Sequence, residues 1–300
     1  MPLRNCRWSL FPLSLVFFLS LTSSAEEHSA PMEMRRDMPF VQVTINGQGP
    51  FTFGIDTGTG GQALVTPELI QKLKLTTVGE SEVGDPSGRN LHKVPLVQIG
   101  SLTVAGVEFK NVKATQHTPS QREGPCDGIL GFVLFRDYLF TLDYPKQELR
   151  LANGTLKPDS GEQVIPFTMP NDVPLIDLKV GTRTLSAHVD SRGRGLSIPA
   201  AFASDLKFQS EPIVIGRGRT VSNEFEIKGA QLAGDIRLGG YTFPTPFVEI
   251  NPIFPVGNFG AVPLQHFAVT FDQKSGLMRL IAESKSIVLP PPAAVPHKAE

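Results

Sequence analysis

Two stretches of this chain repeat one another, and that repeat limits the possible folds more than any other feature. Residues 128–151 and 257–280 align without a gap and share seven identities: Gly128/Gly257, Gly131/Gly260, Val133/Val262, Thr141/Thr270, Asp143/Asp272, Arg150/Arg279 and Leu151/Leu280. Two weaker pairs keep the same order. Val104-Ala-Gly-Val-Glu-Phe109 matches Leu238-Gly-Gly-Tyr-Thr-Phe243, and Pro39-Phe40 matches Pro174-Leu175. The spacing between partners drifts only slightly. A shared order at nearly constant offset is the mark of one structural unit used twice.

Each unit reads mainly as strands. Val41, Val43 and Ile45 alternate with polar residues, Asn46-Gly47 supplies a hairpin turn, and Phe51, Phe53 and Ile55 resume the alternation. In the second unit Leu178 and Val180 precede Gly181, and Leu185, Ala187 and Val189 follow it. Gly 28, Pro 26 and Phe 20 in 300 residues fit many short strands joined by turns. One short helix per unit is predicted. Thr66-Pro67-Glu68 gives a cap, a first-turn proline and an acid ahead of Leu69, Ile70 and Leu73, and Pro199 with Phe202 and Leu206 matches it. The predicted organisation is a linker over 26–37, a first unit over 38–156, a linker over 157–170, a second unit over 171–284 and a proline-rich tail over 285–300.

Residues 1–25 read as a segment removed before folding. Arg4 and Arg7 open it, Ser9 to Leu21 is almost wholly apolar, and Ser23-Ser24-Ala25 supplies small residues for cleavage. The apolar run is short for a bilayer span, so the expectation is export to a periplasmic or extracellular compartment with no stable membrane span. Cleavage would take the formal charge from -1 to -3 and remove Cys6, leaving Cys126 without an intrachain disulfide partner. A balance this near neutral supplies no basic field for nucleic acid.

One residue in each unit stands out. Asp56 ends an apolar strand in Gly54-Ile-Asp-Thr-Gly58, and Asp190 ends the matching strand in His188-Val-Asp-Ser-Arg-Gly193. Aspartate is a poor strand residue, and a lone Asp-Thr-Gly is most simply a turn. Recurrence in register, each time followed by a hydroxyl residue, weakens that explanation. Ile55-Asp-Thr-Gly58 with Asp127-Gly-Ile-Leu-Gly131, and Val189-Asp-Ser191 with Gly257-Asn-Phe-Gly260, resemble the motifs of the retropepsin-like and pepsin-like aspartic proteases.

That resemblance implies an all-β, two-lobed acid-protease-like β-barrel fold with a few short helices. It implies a catalytic pair, Asp56 and Asp190, sharing one proton around a water, with no cofactor and no metal. Thr57 and Ser191 would hydrogen-bond across the lobes. Gly58, Gly193, Gly131 and Gly260 would support the active loops by close backbone approach. The implied activity is endopeptidase cleavage of a polypeptide by a monomer rather than a homodimer, with 83–89 in the segment that covers the substrate.

The second unit departs from the motif at Arg192, where a glycine is expected, and at Asn258, where the first unit has Ile129. A guanidinium close to the pair would favour two ionised carboxylates. Alternatively Arg192 points out of the cleft, and Gly193 replaces the missing glycine from the next position. The rival readings are a catalytically inactive peptide-binding protein with a degenerate second lobe, and a homodimer that pairs two Asp56 loops. Gly58-Thr-Gly60-Gly-Gln-Ala63 also fits a dinucleotide fingerprint, but the surrounding strands and hairpins lack the βαβ unit it needs. The six histidines show no metal-ligand spacing, and no Gly-x-Ser-x-Gly elbow occurs.

Overall fold

The computed structural model describes residues 27–84, 91–119, 124–160, 162–219 and 224–290. The expected leader, most of the 83–89 segment and the end of the tail lie outside them. The described chain is mostly β, with three sheets and a few short helices, as expected of an all-β fold.

The alternating residues around Asn46-Gly47 form the hairpin Met38–Ile45 and Gln48–Asp56. Both turn residues have positive φ, as this tight turn requires. The hairpin belongs to an eight-stranded sheet ordered Glu33–Arg35, Met38–Ile45, Gln48–Asp56, Gly128–Gly131, Ala63–Val65, Val107–Gln116, His92–Val104 and Thr76–Val83. A further pairing of Met38–Ile45 with His92–Val104 closes it on itself as a barrel. Val41, Val43, Ile45, Phe51, Phe53 and Ile55 fill the interior. The helix Pro67–Leu73 is capped by Thr66, whose hydroxyl accepts from the Leu69 N–H at 3.2 Å, and ends at Lys74 in the left-handed region.

The second half of the chain builds a nine-stranded sheet. In it Arg183–Val189 lies between Leu175–Val180 and Gly257–Phe259. Where one helix is expected, the described residues of this half form two single-turn helices, Ala200–Ala203 after Pro199 and Ala261–Leu264 after Gly260.

A six-stranded sheet draws strands from both halves. At its centre Leu139–Asp143 pairs antiparallel with Ala268–Asp272, so that Thr141 faces Thr270 with their hydroxyls 2.8 Å apart. Much of the phenylalanine content packs against this sheet. Phe135 stacks on Phe140 with ring centroids 4.2 Å apart, and Phe132 meets Phe271 edge-on at 5.0 Å. All four are buried, each contributing on the order of 2 kcal/mol through removal of its apolar surface from water.

The two stretches read as linkers carry structure. Glu27–Pro31 and Glu33–Arg35 lie within 26–37, and Val164–Pro166 lies within 157–170. Glu27–Pro31 and Val164–Pro166 form the two edges of the six-stranded sheet, against Glu148–Ala152 and Leu277–Ile281. Edge strands this short carry little apolar patterning of their own, and distant partners hold them in place.

Candidate functional site

Both aspartates stand where a strand leaves its sheet beside a parallel glycine-bearing neighbour. Gln48–Asp56 runs parallel to Gly128–Gly131, with Asp56 opposite Gly131. Arg183–Val189 runs parallel to Gly257–Phe259, and the Asp190 N–H donates to the Phe259 carbonyl at 3.1 Å. Asp127 anchors the first arrangement, because its carboxylate accepts from the Thr52 N–H at 2.8 Å.

The glycines after these short strands admit the loops. A Cβ on Gly131 would collide with the Gly61 carbonyl oxygen, and one on Gly260 would lie 2.6 Å from the Gly195 oxygen and 2.8 Å from the Gly193 oxygen. Backbone bonds use the space left open. The Gly131 N–H donates to the Gln62 carbonyl at 2.9 Å, and Gly260 and Ala261 donate to Gly195 and Gly193 at 3.0 and 2.8 Å. No residue with a side chain fits at either point without moving an aspartate loop.

The two loops are cross-bonded through Thr57 and Ser191. The Thr57 N–H donates to Ser191 Oγ at 3.0 Å, and the Ser191 N–H donates to Thr57 Oγ1 at 2.9 Å. Each hydroxyl then donates to the backbone before the opposite aspartate: Thr57 to the Val189 carbonyl at 2.6 Å, and Ser191 to the Ile55 carbonyl at 2.8 Å. Both side chains are buried, so no water competes for these four bonds.

Each carboxyl is held from its own loop. Asp56 accepts from the Gly58 N–H on Oδ1 and from the Thr59 hydroxyl on Oδ2, both at 2.8 Å. Asp190 accepts on Oδ1 from the N–H groups of Arg192 at 2.9 Å and Gly193 at 2.6 Å. Gly58 packs directly on the other aspartate, since a Cβ there would lie 2.7 Å from Asp190 Cγ. A side chain at residue 58 would push the carboxyls apart. Thr59 was missed in the sequence because its contact depends on how the loop turns back.

Electrostatics single out Asp56. Burial and the neighbouring charge of Asp190 push its carboxyl up to about 7, against the opposing pull of the Thr59 hydroxyl, Arg192 and the Gly58 N–H. Its side chain keeps 14% exposure. His188 is lowered by burial, partly offset by Asp190. Tyr144, which follows the central strand of the six-stranded sheet, is raised by burial and further by both aspartates. Its buried hydroxyl has no hydrogen-bond partner among the described residues.

Arg192 does not point out of the cleft. Its side chain is only 5% exposed, with Nε 4.0 Å from Asp56 Oδ2 and the guanidinium carbon 5.0 Å from the centre of the Phe40 ring. The slot exists because Gly54 has no side chain to fill it. Nor does the cation abolish the upward shift at Asp56, because burial and Asp190 together outweigh it. Gly193 does take up backbone bonding to Asp190, but shares it with the arginine's own N–H. Asn258 lies against the same loop, its amide nitrogen occupying the space a Cβ on Gly193 would need.

A carboxyl that stays protonated towards neutrality, with a second carboxylate beside it, can donate and accept protons on a bound reactant at once. Among the described residues no group of three or more metal-binding side chains occurs, and no helix is long and apolar enough to cross a membrane.

Residues 41–134 match the family model described as aspartyl protease. No curated protein matches the chain. Solved structures that match include the crystal structure of a retropepsin-like aspartic protease from Rickettsia conorii, at 22% identity. The match covers 43% of this chain and 94% of that one, with a TM-score of 0.33.

Proposed function

We propose that this chain, whose residues 41–134 match the aspartyl protease model, is a retropepsin-like aspartic protease in which Asp56 and Asp190 together hydrolyse peptide bonds in an extended polypeptide bound between two lobes. The observation that carries this reading is the cross-bonding of Thr57 and Ser191, which brings an aspartate loop from each half of the chain to one place.

In this reading Asp56 holds the proton and Asp190 is the base. Asp190 takes a proton from a water as its oxygen attacks the peptide carbon. Asp56 gives its proton to the carbonyl oxygen, so the tetrahedral intermediate forms as a neutral diol. The reverse transfers break it down. Asp56 recovers a proton from one hydroxyl as the carbonyl re-forms, the proton held by Asp190 goes to the leaving nitrogen, and the C–N bond breaks. One water is consumed, giving a carboxylic acid and an amine with no covalent enzyme intermediate. The working unit is a monomer, exported after removal of residues 1–25, and the repeat of the aspartate loops is an old internal duplication.

Arg192 and Asn258 favour a second reading, a peptide-binding protein of the same fold that performs no chemistry. Incubating the protein without its first 25 residues with a peptide mixture in 18O-water across pH separates the two. The peptidase reading expects new carboxyl ends carrying one solvent oxygen and no acyl-protein adduct. Intact peptides at every pH would leave only the binding reading.

A further inference from the structure

We propose that Arg192 is a positioning residue of the aspartate pair, a fixed cation built beneath Asp56 that sets the pH range in which the pair works. This rests on the peptidase reading. It goes beyond that reading because the aspartate pair can be described without an arginine.

The backbone at Arg192 already does what the loop asks of it. Its N–H donates to Asp190 Oδ1 at 2.9 Å, just as the Gly58 N–H donates to Asp56 Oδ1 at 2.8 Å. The side chain is therefore additional to the loop, and an additional arginine ordinarily extends its charged end into water. This one does the opposite. It crosses towards the other aspartate and is buried with Nε 4.0 Å from Asp56 Oδ2.

Three features among the described residues help to hold it there. Phe40, wholly buried, offers a ring 5.0 Å from the guanidinium carbon, where a cation is attracted to the aromatic face. Gly54, one residue before Ile55, leaves a hole that a single Cβ would close by overlapping Arg192 Nη1. Asp56 supplies the opposite charge. A cation kept out of water at this cost needs such compensation.

Among the described residues, the groups that act on Asp56 are Asp190 on the opposite loop, Arg192, and the Thr59 hydroxyl and Gly58 N–H on its own loop; Tyr144, just past the central strand of the six-stranded sheet, feels its charge. His188 faces Asp190. Arg35, 4.8 Å from the Phe40 centroid, is bonded to Glu33 and the Pro125 carbonyl. Burial and Asp190 drive Asp56 to keep its proton, while Arg192 draws it towards release. A cation within about 4–6 Å lowers a carboxyl by about one to three pH units. Arg192 thus keeps the proton on Asp56 exchangeable near neutrality.

The test compares wild type, Arg192→Gln, Arg192→Lys and Gly54→Ala in two measurements: the pH profile of kcat/KM on a cleaved peptide, and the 13C-carboxyl NMR titration of Asp56 without substrate. Arg192→Gln should move both limbs of the profile, and the Asp56 midpoint, up by about one pH unit or more. Arg192→Lys should stay near the wild-type position. Gly54→Ala, which keeps the charge but displaces it, should behave like Arg192→Gln, and it carries the comparison if the glutamine variant does not fold. An unmoved Asp56 midpoint in folded Arg192→Gln or Gly54→Ala overturns the proposal, even where cleavage is intact. Absence of cleavage by wild type at any pH overturns the peptidase reading instead, and the NMR midpoint still decides the role of the arginine.

Discussion

Replacing Asp56 with asparagine should make the protein more stable at neutral pH and leave it nearly unchanged in acid. The carboxyl sits at about 7 in the folded chain against an ordinary value of 3.8. Between those values the native state holds a proton that the unfolded chain releases. The stability conferred by a neutral Asp56 is thus complete below pH 3.8 and is lost as the pH rises through 7. A gap of roughly three units corresponds to about 4 kcal/mol at about 1.4 kcal/mol per unit, and coupling to Asp190 shares part of it. Asparagine carries no charge to desolvate and keeps an amide oxygen for the Gly58 N–H. Urea unfolding of both proteins from pH 4 to pH 8, followed by circular dichroism, should show the variant's advantage growing by about 2–4 kcal/mol. An advantage that is constant across pH, or that shrinks as pH rises, refutes the argument that burial and Asp190 hold the proton on Asp56.

Other perturbations have equally definite outcomes. Thr57→Val keeps the shape but strands the Ser191 N–H and the Val189 carbonyl, and denaturation should show a loss of about 2–4 kcal/mol. Valine at either Thr141 or Thr270 alone should cost about 1–2 kcal/mol by leaving one buried hydroxyl unmatched. Valine at both should cost less than the two single changes summed, which a double-mutant cycle measures. Gly131→Ala drives a methyl into the Gly61 carbonyl, so it should destabilise the protein by about 1–3 kcal/mol and shift the Asp56 titration as the loop moves.

Much of the candidate site's geometry could be read in the sequence because it is built from local devices. A strand pattern ending at an aspartate locates Asp56 and Asp190, and the paired glycines mark where the loops must be approached closely. The Thr141/Thr270 identity needed only the antiparallel pairing to become a direct contact. What escaped depends on residues far apart in the chain. The course of Arg192 is decided by the hole at Gly54 and the ring of Phe40, neither of which has any pattern linking it to an arginine more than a hundred residues later. Glu27–Pro31 looked like linker because its polar alternation gains meaning only beside Glu148–Ala152.

The claim on which the rest depends is that one chain supplies both acids. Peptide cleavage by Asp56→Asn and by Asp190→Asn, each purified as a folded protein, tests it most directly. The account predicts that each change alone lowers kcat by about a thousandfold or more. Full activity in Asp190→Asn beside an inactive Asp56→Asn would contradict it, because the second acid would then have to come from another copy of Asp56.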